Sequence, residues 1–196
     1  MSAKTPVVNL SVFQELLEDV TKGAHKTFAE DKEHRHIFIV ISKEGSIEAI
    51  DFDNMMSVAM PLIQDEGRAK EVIYKTLARS IRTAKAVGFI DVFEAWGIAM
   101  PMEDGESKKT GMERWGKIMD QYKEIRDIPT RVESLMISAR FKNTHVLRSW
   151  TIGRREKEVF LHNYREIKET DQDSDMHGGR QGELHEAVVA VIKGED

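Results

Sequence analysis

The chain contains no cysteine. That excludes disulfides, zinc–thiolate and iron–sulfur centres and thiol nucleophiles, so the fold must be held by packing and hydrogen bonds. Proline is scarce, at four residues, and aromatic residues make up 7% of the chain, which leaves little material for a base-stacking surface. No stretch approaches the roughly 20 apolar residues needed to cross a bilayer, and the opening MSAKTPVVNL lacks the apolar centre of a secretory signal. A cytoplasmic protein without membrane association is expected. The phosphate cradles GxGxxG and GxxxxGK[ST] and the hydrolase elbow GxSxG are missing, and no cofactor is indicated.

What is present describes an α+β protein. The 196 residues are 40% hydrophobic and 32% charged with a formal charge of -5, enough for one sizeable core with appendages. Charge is unevenly spread. Residues 131–168 hold nine Lys or Arg against four Asp or Glu, whereas residues 169–196 hold two against eight. An acidic tail of this kind competes with outside polyanions for the basic segment. Residues 1–168 are read as a single domain with an inserted helical segment at 103–128, and 169–196 as an acidic polar linker with a short C-terminal element.

Helical spacing of Val12, Leu16, Leu17, Val20, Ala24 and Phe28, with Ser11 as cap, predicts a first helix ending near Asp31. His36–Ile41 and Ile47–Phe52 read as a hairpin across KEGS, with Gly45 supplying a positive φ. A Met-rich connection containing Pro61 leads to a second helix over Asp65–Val87, stopped by Gly88 and carrying Lys75, Arg79 and Arg82 on its outer face. FIDVFEAWGIAM, Phe89–Met100, is a central strand that places Ile90, Val92, Glu94, Trp96, Ile98 and Met100 on one face. Met112, Trp115, Met119, Tyr122 and Ile125 mark the inserted helix, and Val132–Phe141, Thr144–Gly153 and Glu158–Ile167 three further strands. The sum is a mostly antiparallel sheet of five or six strands with two main helices packed on it. LHEAVVAVI suits a last edge strand or a docking helix.

Among candidate site residues, Glu94 stands out as an acid set among hydrophobes, which needs a hydrogen-bonding partner or a proton. Strand alternation puts Val146, Arg148, Trp150 and Ile152 on one face, so a meander would let Arg148 approach Glu94, with Trp96 and Trp150 as walls and His162 as a third polar group. The competing reading is an ion pair that sets strand register. His34 and His36 have the two-residue offset of a metal chelate but lack a third ligand, and His145 and His162 carry a still weaker version of the same signal. Asp171, Asp173 and Asp175 imitate a calcium loop, yet its sixth and twelfth positions are Met176 and Gly182. Arg140, Lys142, Arg148, Arg154, Arg155 and Lys157, with Trp150 and Phe160 among them, compose a candidate single-stranded nucleic-acid surface. A solvated hairpin tip explains the same residues.

The segments FIDVFEAW, RVESLMISAR and HVLRSWTI together resemble a loosely defined group of small bacterial and phage α/β proteins of uncharacterised role, with a strand ending in Glu-Ala-Trp followed by an Arg-x-Glu strand and a hairpin. The resemblance spans Asp65 to Ile152, apart from Met112–Ile125. It implies a shared scaffold and brings no activity or ligand. The reading placed first is a non-catalytic binding or assembly protein, self-associating through a sheet edge or the Met-rich surface. Second stands an enzyme built on Glu94, Arg148 and His162, and third a nucleic-acid module.

Overall fold

The computed structural model describes residues 8–98, 108–122, 127–129, 131–155, 158–170 and 179–194. Its centre is a six-stranded sheet of β1 (Ile37–Ser42), β2 (Ile47–Asp51), β3 (Ala86–Ile98), β4 (Arg131–Phe141), β5 (Thr144–Arg155) and β6 (Glu158–Thr170). The strand order is β2-β1-β3-β4-β5-β6, antiparallel throughout. β3 is interior, as its apolar run requires. Gly45 sits in the β1–β2 turn at φ 87, a conformation glycine adopts without steric cost.

Helix α1 (Leu10–Asp31) covers one face. Asn9, not Ser11, caps it, its Oδ1 accepting the Val12 N–H at 3.1 Å, and Lys32 closes the other end in the left-handed region. The buried stripe is Phe13, Leu17, Thr21, Ala24 and Phe28, so Phe13 points inward where Val12 was expected. It meets Ile90, Val92, Leu135, Ile137, Ala139 and Val146 from the sheet. The opposite face is covered by α2 (Phe52–Ile63), α3 (Glu66–Thr83) and α5 (Gly179–Lys193), which close a second core around Phe38, Val40, Phe89, Ile73, Leu77 and Leu184. The inserted helix is α4 (Lys108–Gln121).

Three expectations change. The Met-rich connection is itself helical, with Asp51 capping α2 by accepting the Asn54 N–H at 3.0 Å and Pro61 tolerated in its last turn. α3 ends at Thr83, four residues before Val87, because Ala86 already pairs with Ser42 and the reversal is made by Lys85 at φ 47. Gly88 therefore stops no helix. It lies within β3 opposite Phe141, where a Cβ would come within 2.5 Å of the Arg140 carbonyl oxygen, so the residue permits close strand approach. LHEAVVAVI belongs to α5, whose Leu184, Ala187 and Val188 share the second core with α3. The aspartates of the calcium-like run lie outside the described residues.

Candidate functional site

The strands do form the meander β3-β4-β5, and Glu94, Leu135 and Trp150 stand in one row across it on the α1 face. Glu94 and Arg148 nevertheless take different partners. Glu94 Oε1 accepts the backbone N–H of His34 at 2.5 Å. Burial pushes the Glu94 carboxyl up from its ordinary pKa, opposed by that hydrogen bond and by Arg154, and reinforced by Glu133 and Glu33. Two imidazoles lie at this end of α1. His34 Nδ1 and His25 Nε2 are buried without a hydrogen-bond partner among the described residues, and burial lowers the pKa of both rings. The His25 ring meets Trp150 edge-on at 4.4 Å. Trp96 is exposed and carries Arg131 over its ring at 5.1 Å.

Arg148, 7% exposed, spends its guanidinium one row away. Nε donates to Glu166 Oε2 at 2.7 Å, Nη1 to Thr21 Oγ1 at 2.9 Å and Nη2 to Glu18 Oε1 at 2.5 Å. Burial works to raise the Glu166 carboxyl, yet hydrogen bonds from Lys168, Arg148 and Tyr164 hold it at about 2. This ties α1 to β5 and β6 and orients the helix, the structural role of a register-setting ion pair with a different acid than expected. A 220 Å³ cleft opens beside it between α1 and β5–β6, with Phe13, Leu17 and Val146 as floor and Arg148 and Lys168 as its cations. His162 is exposed and pairs with Thr151, which points to the face opposite Arg148. The three residues named as a catalytic set are thus not assembled.

The basic surface is likewise dispersed. Arg140 is fully buried and Trp150 8% exposed, so neither is presented to a nucleic-acid strand. Arg154 forms a fork with Glu133 at 2.7 and 2.9 Å, and Arg155 lies over the Phe160 ring. Lys142 is exposed at the β4–β5 turn with its Nζ over the Phe141 ring at 5.3 Å, and Lys157 lies outside the described residues. Arg140 lies on the sheet face that α5 covers, and Trp150 on the face that α1 covers. Among the described residues no group of three His, Asp or Glu side chains is placed to hold a metal ion, so His34 and His36 gain no third ligand.

What the linear reading missed is a polar layer inside the second core. Asp91 Oδ1 and His36 Nε2 are 2.7 Å apart, with Asp91 fully buried and the His36 ring stacked on Phe52 at 3.9 Å. Ser138 Oγ and His145 Nε2 are 3.3 Å apart, and Arg140 Nη1 lies 3.3 Å from His185 Nδ1. The His145 and His185 rings meet edge-on at 4.4 Å. Ser138, Arg140 and His145 recur at polar positions of alternating strands, so the only signal available was their spacing with no hint of a cover.

A second feature lies on the outer surface. α2 and α3 bound an apolar groove of 390 Å³ lined by Met55, Val58, Leu62, Ile63, Val72 and Thr76. Leu62 is 81% and Val58 64% exposed. No family model matches the chain, and neither a curated protein nor a solved structure does. Among the described residues no helix is long and apolar enough to cross a membrane.

Proposed function

We propose that this is a non-catalytic assembly protein that associates with a second copy of itself at the β2 edge and the adjoining α2–α3 groove. The observation that carries the reading is the exposure of Leu62 and Val58 on a contiguous apolar groove, a surface that water disfavours and a partner would cover. The two sheet edges support it by contrast. β6 exposes Tyr164 and Ile167 but is defended by His162, Arg165 and Lys168 and by the register shift opposite Ser149–Thr151, whereas β2 exposes Ile47, at 52%, beside the groove. β2 leads directly into α2, so edge and groove adjoin.

Self-pairing suits β2 in particular. An antiparallel two-fold centred on Ala49 sets Ile47 opposite Asp51 and Glu48 opposite Ile50 of the second copy, so no two carboxylates face each other. Solution mass by analytical ultracentrifugation tests the reading: a dimer is expected, and Val58→Glu with Leu62→Glu, both at exposed positions, is expected to give a monomer of unchanged fold. A wild-type protein that stays monomeric at its highest attainable concentration overturns it.

A further inference from the structure

His185 is the point at which α5 meets the sheet. Its ring packs on Phe89 of β3 at 5.1 Å and on His145 of β5 at 4.4 Å, and its Nδ1 faces Arg140 Nη1 of β4 at 3.3 Å, with His185 2% and Arg140 0% exposed. A guanidinium keeps its proton throughout the ordinary pH range and can only donate. Nδ1 of His185 must therefore accept, which assigns the ring proton to Nε2 and makes the docked imidazole neutral. A second proton, on Nδ1, would remove the hydrogen bond and set one cation against another inside the core.

From this geometry we infer that α5 is an acid-released cover over the polar layer formed by Asp91, Ser138, Arg140 and His145. Among the described residues, the elements around His185 bring toward the covered face Asp91 on β3, Arg140 on β4, His145 on β5 and Tyr74 on α3, with Lys75 of α3 and Glu183 and Glu186 of α5 at its rim. Asp91 is engaged by His36 at 2.7 Å. An imidazole released into water takes up a proton near pH 6.5, whereas the docked one does not without losing its contact to Arg140. The undocked state binds more protons, so docking strengthens as pH rises and weakens as it falls through that value. For one histidine the docking equilibrium should drop about 30-fold between about pH 7.5 and 5. Release bares Phe89 and the polar layer, giving the protein a second, acid-specific surface on the α5 side of the sheet.

Hydrogen exchange of the full chain, corrected for the intrinsic pH dependence of exchange, reads this directly. Leu184–Val191 should lose protection at the acid end while Leu135–Ala139 in β4 keep theirs. His185→Gln retains an acceptor for Arg140 and cannot titrate, so its α5 should stay protected at both values. Unchanged wild-type protection, simultaneous loss in β4, or a His185→Gln chain that opens as the wild type does would overturn the inference. Should His185→Gln fail to dock at neutral pH, nitrogen NMR of the wild-type ring decides: a proton on Nε2 alone upholds the assignment, and one on Nδ1 defeats it.

Discussion

Beneath α1 the middle of the sheet is Val92, Leu135 and Ile137, none more than 1% exposed, and the charges of that face sit toward its margin, where Arg148 meets Glu18 and Glu166 and Glu94 meets the His34 amide. Beneath α3 and α5 the same strands place Asp91, Ser138, Arg140 and His145 inside the core, none more than 6% exposed. Both faces are closed by helices and both are well buried, yet they differ in what closure costs. Charge at a margin keeps part of its hydration and finds long side chains to pair with, as Glu18 does from a position half open to water. Charge in the interior must be satisfied by fixed neighbours, and every proton added or lost there is felt by the packing. The α1 face accordingly holds its charges at the margin, and the α5 face holds them in the interior.

The sharpest way to break this comparison is to open the apolar centre. Ile137→Ala should destabilise the protein by about 3 kcal/mol through lost contacts and a residual cavity, equally at neutral and mildly acid pH, as read by urea denaturation. A loss that varied between those conditions would show that the apolar centre of the α1 face is also proton-linked.

A smaller effect is expected at the margin. Arg148→Met removes the donor to Glu18, Thr21 and Glu166 and should cost about 2 kcal/mol at neutral pH, less than a fully buried pair because Glu18 and Glu166 reach water. The Glu166 carboxyl is held at about 2 against an ordinary 4.5. A depressed folded-state pKa stabilises above the unfolded value and is lost as pH falls through the folded one. The gap between wild type and Arg148→Met should therefore narrow as pH drops from about 4.5 towards 2. That window lies well below the one in which α5 is expected to open, where His25 and His34 on the α1 side, their pKa lowered by burial, also lose stability as pH falls.

Glu94→Gln should change least. The hydrogen-bond donor is a backbone amide, which a glutamine oxygen can still serve, and the substitution removes an ionised group that burial disfavours. Stability at neutral pH should shift by no more than about 0.5 kcal/mol, towards greater stability. A loss of several times that size would mean that Glu94 holds a partner beyond His34.

The unequal legibility of the molecule follows from what alternation reports. Strand spans near β4, β5 and β6, the β1–β2 hairpin and the interior place of β3 were readable because a two-residue apolar period has one structural meaning. α2 was not, since FDNMMSVAMPLI is short and contains a proline, and its helicity depends on Asp51 as cap and on Phe52 packing beneath α3. Arg148 was expected to meet Glu94, whereas its acids come from α1 and β6, at a separation of 130 residues in one case. The role of His185 was invisible, because LHEAVVAVI suits an edge strand as well as a docking helix and neither reading says what lies beneath it.

The order of residues by itself determined the strand alternation and the long periods of α1 and α3, because those periods are set by the local geometry of the chain. It also settled that no thiol chemistry is available. Which polar positions face water was decided only in three dimensions. Arg140 and His145 have the spacing of solvent-facing residues and become interior ones when α5 closes over them, since a strand specifies two faces but not what is laid against each.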